Sequence, residues 1–86
     1  MFVTWTEAAL DGFADVYTDL HLFEQRALVG TYHRVNRQLV DYPAGLGEER
    51  EPGVRHWFTG PLQLVFRLIP GGGVQVLACG PNPPRR

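Results

Sequence analysis

Arg55, Trp57, Gln63 and Arg67 fall within one apolar stretch, VRHWFTGPLQLVFRL. Guanidinium groups carry a fixed charge and meet phosphate oxygens through paired N–H donors. An indole beside them can stack on an unpaired base. Gln63 adds a neutral hydrogen-bonding group, and His56 a group able to serve as a general base. Together these are the parts of a site that grips a nucleic-acid backbone or stabilises charge developing on a phosphate. Each residue also has a plainer reading. Trp57 can pack beneath a loop or a partner chain. His56 alternates with Val54 and Phe58, which aims it at the core side of a strand or its rim, where a hydrogen-bonded structural histidine is the commoner outcome.

The remaining chemistry-bearing residues point nowhere in particular. His21, His33, His56 and Cys79 are the soft metal ligands, and no pair of them has finger or ribbon spacing, whereas a structural zinc wants four ligands. No metal and no cofactor is expected. PGGG at 70–73 sits between apolar strands with no helix after it, so it reads as a hairpin turn and not as a phosphate cradle. Cys79 has no base near it in sequence and is expected to be a small, inert, partly buried residue.

The elements that must hold these side chains follow from periodicity. Three apolar runs, VRHWFT, LQLVFRLI and VQVLAC, are joined by GP and PGGG, the pattern of an antiparallel meander. Alternation puts Leu62, Leu64, Phe66 and Leu68 on one face of the middle run, with Gln63, Val65, Arg67 and Ile69 on the other. The second, mixed face is expected to carry Arg55, Trp57 and Arg67 together.

Before the meander, residues 2–5 are β-prone and Thr6 is placed to cap a helix. Ala9, Leu10, Phe13, Val16, Tyr17 and Leu20 recur at helical spacing. Glu7, Asp11, Asp15 and Asp19 form an acidic stripe opposite them, either a solvated side or a surface for a basic partner. After a break at 19–21, Leu28, Tyr32, Val35, Leu39 and Tyr42 mark the seam of a longer helix, with Arg26, His33 and Arg37 on another side. Gly30 is expected to mark close approach to a neighbouring helix, and Pro43 ends the pattern. Residues 43–53 read as a mobile connecting loop. Prolines after Cys79 are expected to stop strand pairing near Gly80, giving an ordered core over 2–79 and a flexible C-terminal tail.

The 86 residues make one domain, 1–86, with an ordinary globular balance of 44% hydrophobic and 20% charged residues. A net charge of -1 gives no whole-molecule case for nucleic-acid binding. All eight basic residues are arginine, which genome composition explains as well as phosphate recognition does. A single cysteine excludes an internal disulfide and suits a reducing compartment. No apolar run approaches the roughly 18 residues needed to cross a bilayer. No secretory leader is recognisable at the start. A cytoplasmic location and no membrane partner are expected.

The order strand, helical pair, acidic glycine-containing loop and meander, in the segments VTWTEAALDGFADVY, RVNRQLVDYP, GEEREPGVRHWFTGPLQLVFRL and VQVLA, resembles the RelE/ParE toxin superfamily of type II toxin–antitoxin pairs. The resemblance covers about residues 2–79. It implies an α+β fold, β-α-α-β-β-β, with a helical hairpin packed on a small antiparallel sheet of four strands. It implies a cognate antitoxin as partner, and a target that is either mRNA on the ribosome or DNA gyrase. RelE-type cleavage uses basic residues without a metal. By this resemblance Arg55 takes the basic place before the middle strand. Gly60-Pro61-Leu62-Gln63-Leu64-Val65-Phe66 falls in register with the family's Gly-x-Tyr-Arg-x-x-Tyr, so Gln63 replaces an arginine and Phe66 a tyrosine. The basic cluster that follows the last strand is reduced here to Arg85 and Arg86 at the terminus. Gln63 cannot neutralise a phosphate and Phe66 cannot donate a proton. Arg55 and Arg67 are then the candidate catalytic residues, as electrostatic stabilisers, with Trp57, Gln63 and His56 as binding residues. The alternative is a catalytically silent module that retains the fold and its interaction surface. The oligomeric state is not legible.

Overall fold

The computed structural model describes residues 2–84; Arg85 and Arg86 lie outside the described residues. Its elements are β1 (Val3–Trp5), α1 (Glu7–Thr18), α2 (Leu22–Asp41), a 3-10 turn (Pro43–Gly45), β2 (Glu48–Glu51), β3 (Val54–Thr59), β4 (Leu62–Leu68) and β5 (Val74–Pro81). The strands form one sheet in the order β1-β5-β4-β3-β2.

Thr6 starts α1 by accepting the Ala9 N–H on its hydroxyl oxygen at 3.1 Å, with Glu7 in the first turn where a negative charge suits the helix dipole. The same residue fastens the helix to the sheet. Its backbone N–H donates to the Val76 carbonyl at 3.0 Å and its hydroxyl to that of Leu77 at 3.1 Å. At the start of α2, the backbone N–H of His21 donates to Glu24 Oε1 at 3.3 Å. Pro43 follows directly after the residue that caps α2 at its C-terminus.

The α+β class and the helical pair on a small sheet are as the sequence predicts, and Leu28, Val35 and Leu39 of the α2 seam are buried. Leu62, Leu64 and Phe66 bury one face of β4 together with Val74 and Val76 of β5, beneath Ala9, Val35 and Leu39. Val16, Leu28 and Leu62 continue the core towards the other end. Trp5, Phe13 and Tyr32 tie β1 to both helices, with ring centroids 5.0–6.2 Å apart. The Trp5 indole N–H donates to Asn36 Oδ1 at 2.8 Å.

Four expectations are corrected. The sheet has five strands and is mixed, because β1 runs parallel to β5 while the other pairs are antiparallel. The fifth strand, β2, lies inside the segment expected to be a mobile loop. Its four residues, EERE, are all exposed, so no alternation betrays it; pairing to β3 is what orders it. Strand pairing does not end near Gly80. Pro81 pairs with Leu62, and Asn82 binds back to the β3–β4 turn through its N–H to Pro61 O at 2.9 Å and its side-chain amide to Gly60 O at 3.0 Å. A proline is tolerated there because β1 pairs only as far as Val76, leaving that end of β5 with β4 as its sheet neighbour. The close approach, finally, is at Gly12 and not Gly30. A Cβ on Gly12 would lie 2.0 Å from the Cys79 carbonyl oxygen, whereas one on Gly30 would meet nothing within 4 Å. The glycine lets α1 settle on β5, not helix on helix.

Candidate functional site

The hairpin between β3 and β4 decides where each candidate side chain goes. Its loop is two residues, Gly60-Pro61, and Gly60 has φ +55°. A positive φ at the first loop position with proline at the second is the type II′ pattern, which matches strand twist. The loop therefore pairs Thr59 with Leu62, Trp57 with Leu64 and Arg55 with Phe66. Partners directly across an antiparallel ladder share a face. Arg55, Trp57 and Thr59 thus lie on the helix-covered side, while Val54, His56 and Phe58 share the uncovered side with Arg67, Val65 and Gln63.

This contradicts the expectation that Arg55, Trp57 and Arg67 share one face. The two candidate catalytic arginines are on opposite faces of the sheet and cannot act on one phosphate together. Arg55 has a local task instead. Its Nε donates to Leu46 O at 2.7 Å and its Nη2 to Gly47 O at 3.1 Å, holding the chain that leads into β2. Trp57 is buried, edge-on to Phe66 at 6.3 Å, with Leu46 packed on the same cluster. It is a core residue under the loop, unavailable for stacking on a base. His56 is not on the core side: it stands on the uncovered face between Glu48 and Val65 of the neighbouring strands.

The uncovered face offers modest chemistry. A shallow groove of about 210 Å³ is lined by Gln63, Val65, Ala78, Cys79 and Gly80. Gln63 spends its amide on Pro81 O at 2.8 Å. Arg67, exposed, donates from Nε to Gln75 Oε1 at 2.8 Å. Phe66, at the position where the resemblance puts a tyrosine, is fully buried on the other side. Burial pushes the Cys79 thiol up from its ordinary 9.0 to about 12, so at neutral pH it is protonated and a poor nucleophile. Among the described residues no three His, Cys, Asp or Glu side chains are grouped to hold a metal ion. None of the described helices is long and apolar enough to cross a membrane.

A second concavity lies elsewhere, between α2 and the β3–β4 turn. It encloses about 280 Å³ and is lined by Leu20, Phe23, Glu24, Ala27, Leu28, Thr31 and Pro61. Phe23 is 84% exposed at its edge. Nothing in the helical periodicity singles out Phe23, because it lies off the seam.

Two solved structures share this architecture. A chain of the chromosomal ParDE toxin–antitoxin system from P. aeruginosa superimposes with a TM-score of 0.63 at 21% identity, covering 94% of this chain and 95% of that one. A chain of the toxin–antitoxin complex RelBE2 from Mycobacterium tuberculosis gives 0.58 at 19% identity, covering 93% and 95%. The chain has a RelE/ParE-like fold. No family model matches the sequence, and no curated protein matches it either. At these identities the RelE/ParE likeness is one of backbone architecture. Side-chain chemistry must be read from this chain's own residues.

Proposed function

We propose that this chain is the toxin-fold member of a bacterial toxin–antitoxin pair, that it binds a cognate antitoxin, and that it does not cut mRNA by RelE-type chemistry. The near-complete overlap with chains from two toxin–antitoxin systems supports the first part. The observation that carries the last part is the disposition of the expected catalytic positions. Gln63 is neutral and bonded to Pro81, Phe66 is buried, and Arg55 is turned to the covered face and bound to two carbonyls. Of the two candidate arginines, Arg67 is left on the uncovered face, with Gln63 and His56 on the same side to contact a target. One guanidinium can attract a phosphate. Cleavage also needs a group to take the 2′-hydroxyl proton and one to protonate the leaving oxygen. This favours a gyrase-directed action, or a silent interaction module, over ribosome-dependent cleavage.

Induced expression of the chain, with and without the neighbouring gene, tests the reading. Growth arrest relieved by the neighbour, with mRNA intact and supercoiling impaired, is the toxin outcome. No arrest, but stable association with the neighbour's product, is the silent module. Cleavage of mRNA on ribosomes that Arg67→Ala abolishes would overturn the assignment.

A further inference from the structure

We propose that the groove between α2 and the β3–β4 turn is an anchor site for an amphipathic segment of the antitoxin. The segment would bury one apolar side chain against Leu20, Ala27, Leu28 and Pro61 and place a carboxylate on Arg34. This rests on the antitoxin reading above and adds where the partner docks and what chemistry it carries.

Phe23 forms one lip of the groove at 84% exposure and Pro61 the other, with Leu28, 1% exposed, below. A ring this exposed beside an apolar hollow is unfavourable in water and becomes favourable when covered. The volume of about 280 Å³ suits one large side chain and not an extended ligand.

Charge selects the partner. One turn beyond Thr31, Arg34 lies over the turn that supplies Pro61: a Cβ on Gly60 would be 3.5 Å from its Nη2. Its Nη1 donates to Gln38 Oε1 at 2.6 Å and to Thr59 Oγ1 at 3.0 Å, which fixes the guanidinium in place. Its Nε and Nη2 have no partner among the described residues. A guanidinium so held, with free donors, is preorganised for a carboxylate. An apolar anchor followed about one helical turn later by Asp or Glu matches both features.

The test uses the full chain and the protein encoded beside it, with affinity measured by calorimetry. Ala27→Arg, which fills the groove from an exposed position, and Phe23→Ser are each expected to weaken binding about tenfold or more. Arg34→Gln is expected to weaken it about tenfold and to reduce its salt dependence. Thr59→Val keeps the charge but removes one of the two bonds that hold the guanidinium, and is expected to weaken binding by about two- to threefold, less than Arg34→Gln does, with the salt dependence retained. Binding that is unchanged in Ala27→Arg and Arg34→Gln overturns the anchor site while leaving the antitoxin reading intact. No binding by the unmodified chain overturns that reading itself. Self-association lost in Ala27→Arg would assign the groove to a second copy of this chain and also overturn the proposal.

Discussion

Cys79 illustrates how a reactive side chain is silenced by placement. It lies on β5, and burial alone raises its thiol to about 12. Because the unfolded thiol titrates near its ordinary 9.0, the unfolded chain gives up its proton first as pH rises. The contribution to stability is complete below about pH 9 and is lost between there and about 12. Alkylation by iodoacetamide at pH 8 is therefore expected to be far slower for the folded chain than for the chain in urea; equal rates would contradict this placement. Arg55 is the opposite case, a charged group whose type suggests catalysis and whose two carbonyl partners show a structural task. Nothing in its residue type separates those roles. Only the face it occupies does so, and that face follows from the loop length. Gly60-Pro61 was visible in the sequence as a two-residue hairpin, so the pairing of Arg55 with Phe66 was legible there too. The greater apolarity of Val54 and Phe58 pointed the other way and misled.

At the scale of elements, helix positions and the buried side of β4 could be read because caps, seams and alternation repeat over many residues. β2 could not, since EERE carries no apolar face and owes its order to pairing with β3, the strand that follows it. Gly12 and Gly30 look alike in the sequence, each a glycine inside a helical pattern. Their surroundings separate them. Gly12→Ala must push α1 off β5 at the Cys79 carbonyl and is expected to destabilise by about 1–3 kcal/mol. Gly30→Ala meets open space and is expected to stabilise by about 0.5–1 kcal/mol, through helix propensity and a less flexible unfolded chain. Urea denaturation of the two variants decides it. A neutral Gly12→Ala would mean that the α1–β5 contact is not the tight one, and a destabilising Gly30→Ala that Gly30 does not face open space.

For the whole molecule, two surfaces remain after the core is filled. One is the uncovered sheet face with Arg67, Gln63 and His56; the other is the groove beside α2, edged by Phe23. Chains that share this architecture come from toxin–antitoxin systems. The proposal that it does not cut mRNA rests on Gln63, bonded to Pro81, on the buried Phe66, and on Arg55, bound to two carbonyls on the covered face. Partner binding is accordingly the central claim, and it can be measured directly. Purified chain mixed with the product of the neighbouring gene is run by size exclusion with light scattering. The account predicts that the two elute together as one complex of defined mass. Separate elution of both proteins at micromolar concentrations would contradict it.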